Sequence, residues 1–284
     1  MSGAAAPAEE CVSVTSATTD QFDRYLGLLG VPARPPALGA LSELTAAHLA
    51  RIPFENVSKR YYRHDAARRG VPDLARFLEG IERHHFGGTC YSNNYHLHQL
   101  LAHLGYDVML CGADMSAPNV HMVNIVTLDQ RPYLVDAGYG APLTEGLPLD
   151  AAADREVVWG ACRYVLRPRD RDGRSRLDMY RNGIRTHGYT VTPTPRRIEE
   201  FADVIASSFS GCATFMHALL VARFGLERSV VLRNRTLIRS EGAWWHVRRD
   251  VAPSELPRVI EHEFGIDGDV ARQALDKVRL DHEP

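Results

Sequence analysis

The sequence lacks the features that mark several classes of protein. Its 33 basic and 35 acidic residues leave a formal charge of -2, so the chain has no overall basic field for nucleic acid or an anionic membrane. No apolar stretch approaches the roughly 18 residues that a membrane-spanning helix needs. The five cysteines are odd in number and contain no CxxC pair, which favours neither a disulfide framework nor a zinc ribbon. We therefore expect any anionic ligand to bind at a local site.

The amino-terminal residues also lack the features of a targeting segment. Residues 1–20 contain no Lys or Arg and no long apolar core, so residues 1–18 are interpreted as a flexible tail rather than a signal peptide. The overall composition, 45% hydrophobic and 24% charged, is typical of a packed globular protein. Together with the unpaired cysteines, this composition predicts a cytoplasmic enzyme with reduced thiols.

Apolar periodicity divides the rest of the chain into three parts. Residues 19–104 repeat their apolar side chains at helical spacing, which predicts a helical bundle. Residues 105–195 consist of short β-rich runs separated by turns, a pattern that favours an antiparallel sheet or barrel. Residues 196–284 change from helical to β and back to helical patterning. The predicted fold class is therefore α+β.

Two predicted helices in the first part flank the most informative motif. One covers residues 73–84, and the next begins near Cys90 and ends at Gly105. An earlier helix, capped by Ser42, is expected to stop near Pro53 and to leave the PFEN residues as a loop. Cys90 is thus expected at the amino terminus of a helix.

The segment HHFGGTCYSNNYHLHQLL has the features of a nucleophile site. Two glycines before Cys90 allow a sharp turn and a close approach to a ligand. The helix amino terminus places N–H groups and a positive dipole end beside the sulfur, which favours its thiolate form. A thiolate nucleophile needs a base and a third group that orients the base. His121 begins one predicted strand and Asp136 ends the next, so the pattern predicts a Cys-His-Asp relay.

Simpler interpretations of the same segment are also available. Cys90 would then be an inert thiol at a helix start. The histidines near it suggest a metal site, but they show no HxxxH or CxxC spacing, so no metal is predicted. These histidines are His84, His85, His96, His98 and His103.

Several motifs occur in the order found in one enzyme family. RIPFENVS follows an amphipathic helix, and it is followed by GGTCYSNN, the His121 strand and LVDAGYGAP. Together these motifs resemble the arylamine N-acetyltransferase family, and the resemblance covers most of the chain. It implies a papain-like cysteine acyltransferase fold with an N-terminal helical bundle, a central β-barrel and a C-terminal α/β lid. It also implies that Cys90 is the nucleophile, His121 its base and Asp136 the residue that orients His121.

The resemblance implies a reaction and its substrates as well. The reaction is a ping-pong transfer from a coenzyme A thioester to a small-molecule amine, hydrazine or hydroxylamine, with no tightly bound cofactor. The family's aromatic substrate positions fall at Phe54 and Tyr139. Gly138 and Gly140 are expected to leave room for the pantetheine arm of the coenzyme and its phosphates.

The sequence departs from the family pattern around Cys90. The family usually has an Arg four residues before the cysteine, a bulky residue just before it and Glu or Gln two after it. Here these positions are Phe86, Thr89 and Ser92. Without that Arg, Glu55 of PFEN needs another basic partner, and Arg51 or Arg83 is expected to serve. The departures affect the choice of substrate more than the chemistry.

Three other functions use the same residues differently. An amide synthase of the same family would take its acyl chain from a carrier-protein thioester, and the changes around Cys90 favour this alternative. A cysteine hydrolase would use water as the acceptor, although PFEN and VDAGYG belong to acyltransferases. A binding module without enzymatic activity would not need Cys90 at all.

Overall fold

A computed structural model of the chain describes residues 10–211, 213–242 and 245–276. Its first part is helical and includes a 3-10 turn at Ala66–Arg68. The helices here are α1 (Glu10–Leu29), α2 (Leu38–Arg51), α3 (Val57–Tyr61), α4 (Leu74–His84) and α5 (Cys90–His103). The predicted helices before and after the Gly87-Gly88 break are confirmed as α4 and α5.

Two helices in this region begin earlier than predicted. Helix α1 starts at Glu10, inside the segment expected to be a tail, because no Gly or Pro interrupts the chain from there to Gly27. Residues 1–9 lie outside the described residues. Helix α2 starts at Leu38, with Ala37 as its cap residue after Pro35 and Pro36, so Ser42 lies within the helix and does not cap it.

The middle of the chain forms an eight-stranded antiparallel sheet that is nearly closed, like a barrel. Its strands are β2 (Asp107–Asp114), β3 (His121–Leu128), β4 (Arg131–Val135), β5 (Leu147–Pro148), β6 (Arg155–Trp159), β7 (Cys162–Leu166), β8 (Ser175–Arg181) and β9 (Ile184–Pro195). Their order in the sheet is β5-β4-β3-β2-β9-β8-β7-β6. Because Asn124 of β3 pairs with Val135 of β4, the start of β3 and the end of β4 lie at the same edge.

The last part of the chain combines a smaller antiparallel sheet with helices. Four strands come from this part of the chain: β10 (Leu220–Phe224), β11 (Arg228–Arg233), β12 (Thr236–Glu241) and β13 (Trp245–Asp250). The fifth strand, β1 (Phe54–Glu55), comes from the PFEN segment, and the order in the sheet is β1-β10-β11-β12-β13. The helices are α6 (Ala202–Ser207), α7 (Thr214–His217), α8 (Leu256–Phe264) and α9 (Gly268–Leu275), with 3-10 turns at Ile198–Phe201 and Pro253–Glu255.

The prediction that PFEN forms a loop is wrong. Phe54 pairs with Ala222 and Glu55 with Val221, and both side chains are buried. The backbone of a buried segment must pair its polar groups, and here β10 supplies the partners. The helical bundle and the C-terminal sheet are joined through this short strand.

Helix α5 packs against β2 and β3, and this contact positions the candidate site. Cys90, Leu97 and Leu101 of α5 and Met122 of β3 belong to one buried hydrophobic cluster. The start of the helix therefore lies beside the start of β3. Within the described ranges, we find no helix with the length and apolar character that crossing a membrane requires.

Candidate active site

The turn before Cys90 contains two positions, Gly87 and Gly88, that favour glycine. A Cβ on Gly87 would lie 2.0 Å from the Pro53 carbonyl oxygen, and Gly88 has φ +80°. Thr89 occupies the cap position in an extended conformation, and Cys90 is the first residue of α5. The Cys90 side chain is buried, with 6% of the residue exposed. The predicted place of this cysteine at a helix start is confirmed.

Cys90, His121 and Asp136 meet at the edge of the barrel. Nε2 of His121 lies 2.8 Å from Oδ2 of Asp136, and both side chains are buried. The Cys90 sulfur lies near the same imidazole, and its thiol is 4.0 Å from the Val120 carbonyl oxygen. Burial lowers the pKa of His121, but the charge and hydrogen bond of Asp136 and the Cys90 sulfur outweigh it, so the pKa rises to about 10. The geometry suits a thiolate and an imidazolium held in place by a carboxylate.

Asp136 follows β4 directly and is held as a carboxylate. Burial alone raises the pKa of a carboxyl group, yet the charge and hydrogen bond of His121 hold the pKa of Asp136 below its usual value. Three further donors help: Asn94 Nδ2 at 2.8 Å, the Gly138 N–H at 2.9 Å and the Tyr189 hydroxyl at 2.8 Å. All four donors fix the orientation of the carboxylate towards His121.

Sequence reasoning missed Asn94 and Tyr189. Asn94 lies one helical turn after Cys90, so its side chain is on the same face of α5 as the sulfur. Its Oδ1 accepts the Ala137 N–H at 2.9 Å, and its Nδ2 also donates to the Met122 carbonyl at 2.6 Å. The i+4 spacing from Cys90 is a signal that could have found it. Tyr189 carries no such signal, because it reaches Asp136 from the middle of β9.

Comparison with known proteins shows which family the chain belongs to. The N-acetyltransferase family model matches residues 37–273. An arylamine N-acetyltransferase of Mycolicibacterium smegmatis is 32% identical over 268 residues, covering 87% of this chain and 92% of the relative. The chain belongs to the arylamine N-acetyltransferase family. It is thus an enzyme, a transferase of this family.

Two further comparisons describe the range of the family. Proansamycin X synthase of Amycolatopsis mediterranei is 37% identical over 180 residues, covering 59% of this chain and 65% of the relative. The solved arylamine N-acetyltransferase of Mycobacterium abscessus is 20% identical and has a TM-score of 0.76, covering 92% of this chain and 95% of that one. The latter confirms the papain-like α+β acyltransferase fold that the sequence predicts.

The two aromatic positions predicted from the N-acetyltransferase family lie in different settings. Tyr139 is half-buried, with its ring centroid 5.6 Å from that of His121 and its hydroxyl 2.7 Å from Nδ1 of His187. Phe54 is buried and meets the edge of Phe215 at 5.7 Å between centroids. Sequence reasoning did not single out Phe215 or His187. Tyr139 therefore adjoins the proposed base directly, and Phe54 belongs to an aromatic pair of β1 and α7.

The glycines predicted to hold the coenzyme have other structural reasons to be glycine. A Cβ on Gly138 would lie 2.7 Å from Cα of Cys90, so this residue lets the loop after β4 pack against the start of α5. Gly140 has φ +70° and lies against the Phe54 ring. The structure thus explains both glycines by packing and backbone conformation, and a role in binding coenzyme stays a prediction.

The expected replacement for the missing family arginine is wrong. Glu55 is fully buried and accepts hydrogen bonds from neutral donors: the Ser58 N–H at 2.8 Å, the Ser58 hydroxyl at 2.6 Å and the N–H groups of Gly88 at 2.7 Å and Gly87 at 3.2 Å. Arg83 pairs with Glu79 instead. Burial raises the pKa of Glu55 despite these hydrogen bonds.

Arg51, the other expected partner, also lies elsewhere. A Cβ on Gly30 would lie 3.1 Å from its guanidinium, which places that group beside the end of α1. The carboxyl of Glu55 instead ties β1 to the turn that precedes Cys90, because its backbone donors are Gly87 and Gly88. In the part of the chain that the structure describes, Glu55 forms no ion pair.

Proposed function

We propose that this enzyme moves an acyl group of the acetyl type from coenzyme A to an amine, hydrazine or hydroxylamine through an acyl-cysteine intermediate. One observation carries the proposal: the His121 imidazole is hydrogen-bonded to the Asp136 carboxylate at 2.8 Å, and the Cys90 sulfur is close enough to raise the pKa of that imidazole. We assign them the roles of nucleophile, base and orienting group. Membership of the arylamine N-acetyltransferase family supports the same assignment.

In the first half-reaction, the Cys90 thiolate attacks the thioester carbonyl of the donor. A carbon–sulfur bond to Cys90 forms, and the negative charge moves to the carbonyl oxygen. Backbone N–H groups are the expected donors to that oxyanion, and the N–H of Cys90 at the helix start is one candidate. When the tetrahedral intermediate collapses, the bond to the coenzyme sulfur breaks and His121 gives its proton to the leaving thiolate.

In the second half-reaction, the neutral amine attacks the acyl-cysteine. His121 takes a proton from the attacking nitrogen, and the amide product leaves as the Cys90 thiolate is restored. Asp136 keeps the ring oriented and stabilises the imidazolium that forms. A positioned base of this kind typically contributes 10²–10⁴ in rate.

In this proposal both substrates, the acceptor and the acyl-coenzyme A, are small molecules. Tyr139, beside His121, and Phe54 would contact the acceptor, and Gly138 and Gly140 would adjoin the coenzyme arm. Coenzyme A acts as a substrate rather than as a tightly bound cofactor. We expect the enzyme in the cytoplasm, where acyl-coenzyme A is made and thiols stay reduced.

A second candidate function keeps the chemistry and changes the donor. An amide synthase would accept its acyl chain from a carrier protein, and the similarity to proansamycin X synthase favours this candidate. The residues at positions 86, 89 and 92, which differ from the usual family pattern, support it as well. The partner would then be an acyl carrier protein instead of free acyl-coenzyme A.

Intact-protein mass spectrometry tests both candidates. The native chain and Cys90→Ala are incubated with acyl-coenzyme A thioesters and with acyl carrier-protein thioesters. We expect the native chain to gain the mass of one acyl group, to lose it on addition of an amine, and Cys90→Ala to gain nothing. Labelling by carrier-protein thioesters alone would favour the amide synthase, and labelling of Cys90→Ala would contradict Cys90 as the nucleophile.

A further inference from the structure

The carbonyl groups of the turn before the nucleophile converge on one buried side chain. Nδ2 of Asn93, in the first turn of α5, lies 2.9 Å from the Gly88 carbonyl oxygen. The same nitrogen lies 3.3 Å from the carbonyl oxygens of Gly87 and Thr89. On the opposite side, the N–H groups of the two glycines donate to Glu55. The turn is therefore held between a donor, Asn93, and an acceptor, Glu55.

Asn93 is oriented in turn by two further side chains. Because carbonyl oxygens only accept hydrogen bonds, the nitrogen of the Asn93 amide faces the turn and its oxygen faces away. That oxygen lies 2.8 Å from Nε2 of His48, so Nε2 carries the proton of the ring. Nδ1 of His48 then accepts from the Tyr25 hydroxyl, 3.0 Å away. The hydrogen bonds therefore run in one direction, from Tyr25 of α1 through His48 of α2 to the turn.

The three side chains of this hydrogen-bonded chain are all inaccessible to water. Tyr25, His48 and Asn93 are each 0% exposed. Burial lowers the pKa of His48 to about 4, so the ring is neutral at pH 7 and keeps a single proton. Burial also raises the pKa of Tyr25 well above its usual value, so its hydroxyl stays a donor. A buried network with these groups satisfied holds its members in one arrangement.

The hydrogen-bonded chain ends at the peptide group that bears the Cys90 N–H. The Thr89 carbonyl of this group accepts from the Asn93 side chain and also from the Asn93 backbone N–H at 3.1 Å. A peptide group is planar and trans, so its C=O and its N–H point in opposite directions. With the carbonyl facing Asn93, the Cys90 N–H points away from Asn93. This N–H is the candidate donor to the oxyanion, so Asn93 sets the direction of that donor.

We propose that Asn93 and His48 are positioning residues that orient the Cys90 N–H toward the oxyanion of the first half-reaction. Asn93 acts through the peptide group between Thr89 and Cys90, and His48 acts through Asn93. The inference rests on the proposed function and adds these residues to it. The covalent step is unchanged: the Cys90 sulfur bonds to the thioester carbon and an electron pair moves to the oxygen, to which the N–H donates. When that pair returns, the coenzyme sulfur leaves with a proton from His121.

A second buried histidine of the helical bundle provides a matched comparison. His96 is also 0% exposed, and burial also lowers its pKa to about 4. Its Nδ1 lies 3.0 Å from an amide oxygen, Oε1 of Gln99. The nitrogen of that amide donates to the Tyr95 hydroxyl at 3.4 Å, whereas the amide that bonds His48 donates to the Cys90 turn. The two histidines thus have similar surroundings and different connections.

The test compares two reactions of Cys90 that differ in their need for an oxyanion donor. Acylation by saturating acetyl-coenzyme A, followed by rapid quench and intact mass, passes through an oxyanion. Alkylation by iodoacetamide, followed at Cys90 by peptide mass, displaces iodide from a tetrahedral carbon and forms no oxyanion. We expect Asn93→Ala to slow acylation by roughly 10- to 100-fold, less than the 10²–10³ of deleting an oxyanion donor, and alkylation by less than about threefold.

Substitutions of the two histidines repeat the test in α2 and α5. His48→Leu should slow acylation by about tenfold, since Asn93 loses the donor that orients its amide, and should spare alkylation. His48→Gln keeps an N–H donor and should recover part of the rate. His96→Leu is the matched control and should leave both rates unchanged. In the native protein, NMR of the imidazole nitrogens should show His48 with its proton on Nε2.

Other outcomes overturn the inference. Equal slowing of acylation and alkylation by Asn93→Ala would mean that the thiolate itself is lost or displaced. Equal losses in His48→Leu and His96→Leu would reduce His48 to a packing residue, and a proton on Nδ1 of His48 would reverse the hydrogen-bonded chain. Native rates of acylation in every variant would refute the inference and leave the proposed function intact, whereas no acylation of the native enzyme by any thioester donor would refute both.

Discussion

One buried carboxyl group lies on each side of the Cys90 turn, and their surroundings shift their pKa values in opposite directions. Asp136 faces His121 and has its pKa lowered, whereas Glu55 faces only neutral donors and has its pKa raised. Both are essentially inaccessible to water. The difference shows that hydrogen bonds alone do not offset burial here, and that a positive partner does.

The two carboxyl groups also have different roles near Cys90. Asp136 keeps a charge where the proposed chemistry needs one, next to the imidazole. Glu55 serves as an acceptor that joins β1 to the Gly87-Gly88 turn, a task that a neutral group can share. A carboxyl group thus serves the proposed catalysis on one side of the turn and holds the fold together on the other.

The sharpest test of this contrast replaces each carboxyl with an amide. Asp136→Asn should lower the rate of acyl transfer by about 10²–10⁴-fold, because the imidazolium loses its anionic partner. Without Asp136, burial dominates and the pKa of His121 should fall from about 10 to below its ordinary value, as measured by NMR titration. Glu55→Gln is the matched control and should keep the rate within about threefold. Similar losses in both variants would refute the division of tasks.

Substitution of Gly138, in the loop after Asp136, tests how tightly this loop packs against the start of α5. Gly138→Ala places a Cβ 2.7 Å from Cα of Cys90, where backbone atoms must shift. We expect the free energy of unfolding to fall by about 1–3 kcal/mol, as for overpacking in a core, in urea titrations. Gly27→Ala, with nothing within 4 Å of the new Cβ, is the control. If Gly138→Ala is as stable as the native protein, the loop can shift to accommodate the Cβ at little cost, which would contradict tight packing.

Removing one neutral donor from Asp136 should have a smaller effect. Tyr189→Phe deletes the 2.8 Å hydrogen bond to Oδ2 and keeps the ring beside His121. We expect roughly a tenfold loss in acyl-transfer rate, the value of a hydrogen bond to a charged group. Tyr180→Phe, in the barrel but bonded to Arg167, provides a comparison. A rate equal to that of the native enzyme would mean that the other donors suffice.

The smallest expected effect is the pH dependence of stability. The contribution of Asp136 should be full above the unfolded pKa of about 3.9 and lost as pH falls through the lower folded value. The contribution of Glu55 has the opposite sign: it is full below the unfolded pKa of about 4.3 and lost as pH rises through the higher folded value. Unfolding of Asp136→Asn and Glu55→Gln across pH 3 to 8 measures both, and parallel curves would contradict the contrast.

Much of the site could be predicted because its signals are local. Two glycines, a cysteine and a helical pattern predict the placement of Cys90, and the ends of neighbouring strands predict that His121 and Asp136 meet. The short strand of PFEN could not be predicted, because its partner lies near residue 221 and two residues show no periodicity. Tyr189 and the neutral surroundings of Glu55 likewise depend on contacts between distant parts of the chain.

The pairing of β1 with β10 has a consequence for how the molecule is made. During synthesis, all three proposed catalytic residues emerge well before Val221 and Ala222, which hold the PFEN strand. Contacts so far apart in the chain form late, since a long loop must close first. A nascent chain halted before residue 220 would carry the whole relay and still lack the strand that braces it. The order of synthesis therefore leaves β1, next to the Cys90 turn, without its partner strand until Val221 and Ala222 have been made.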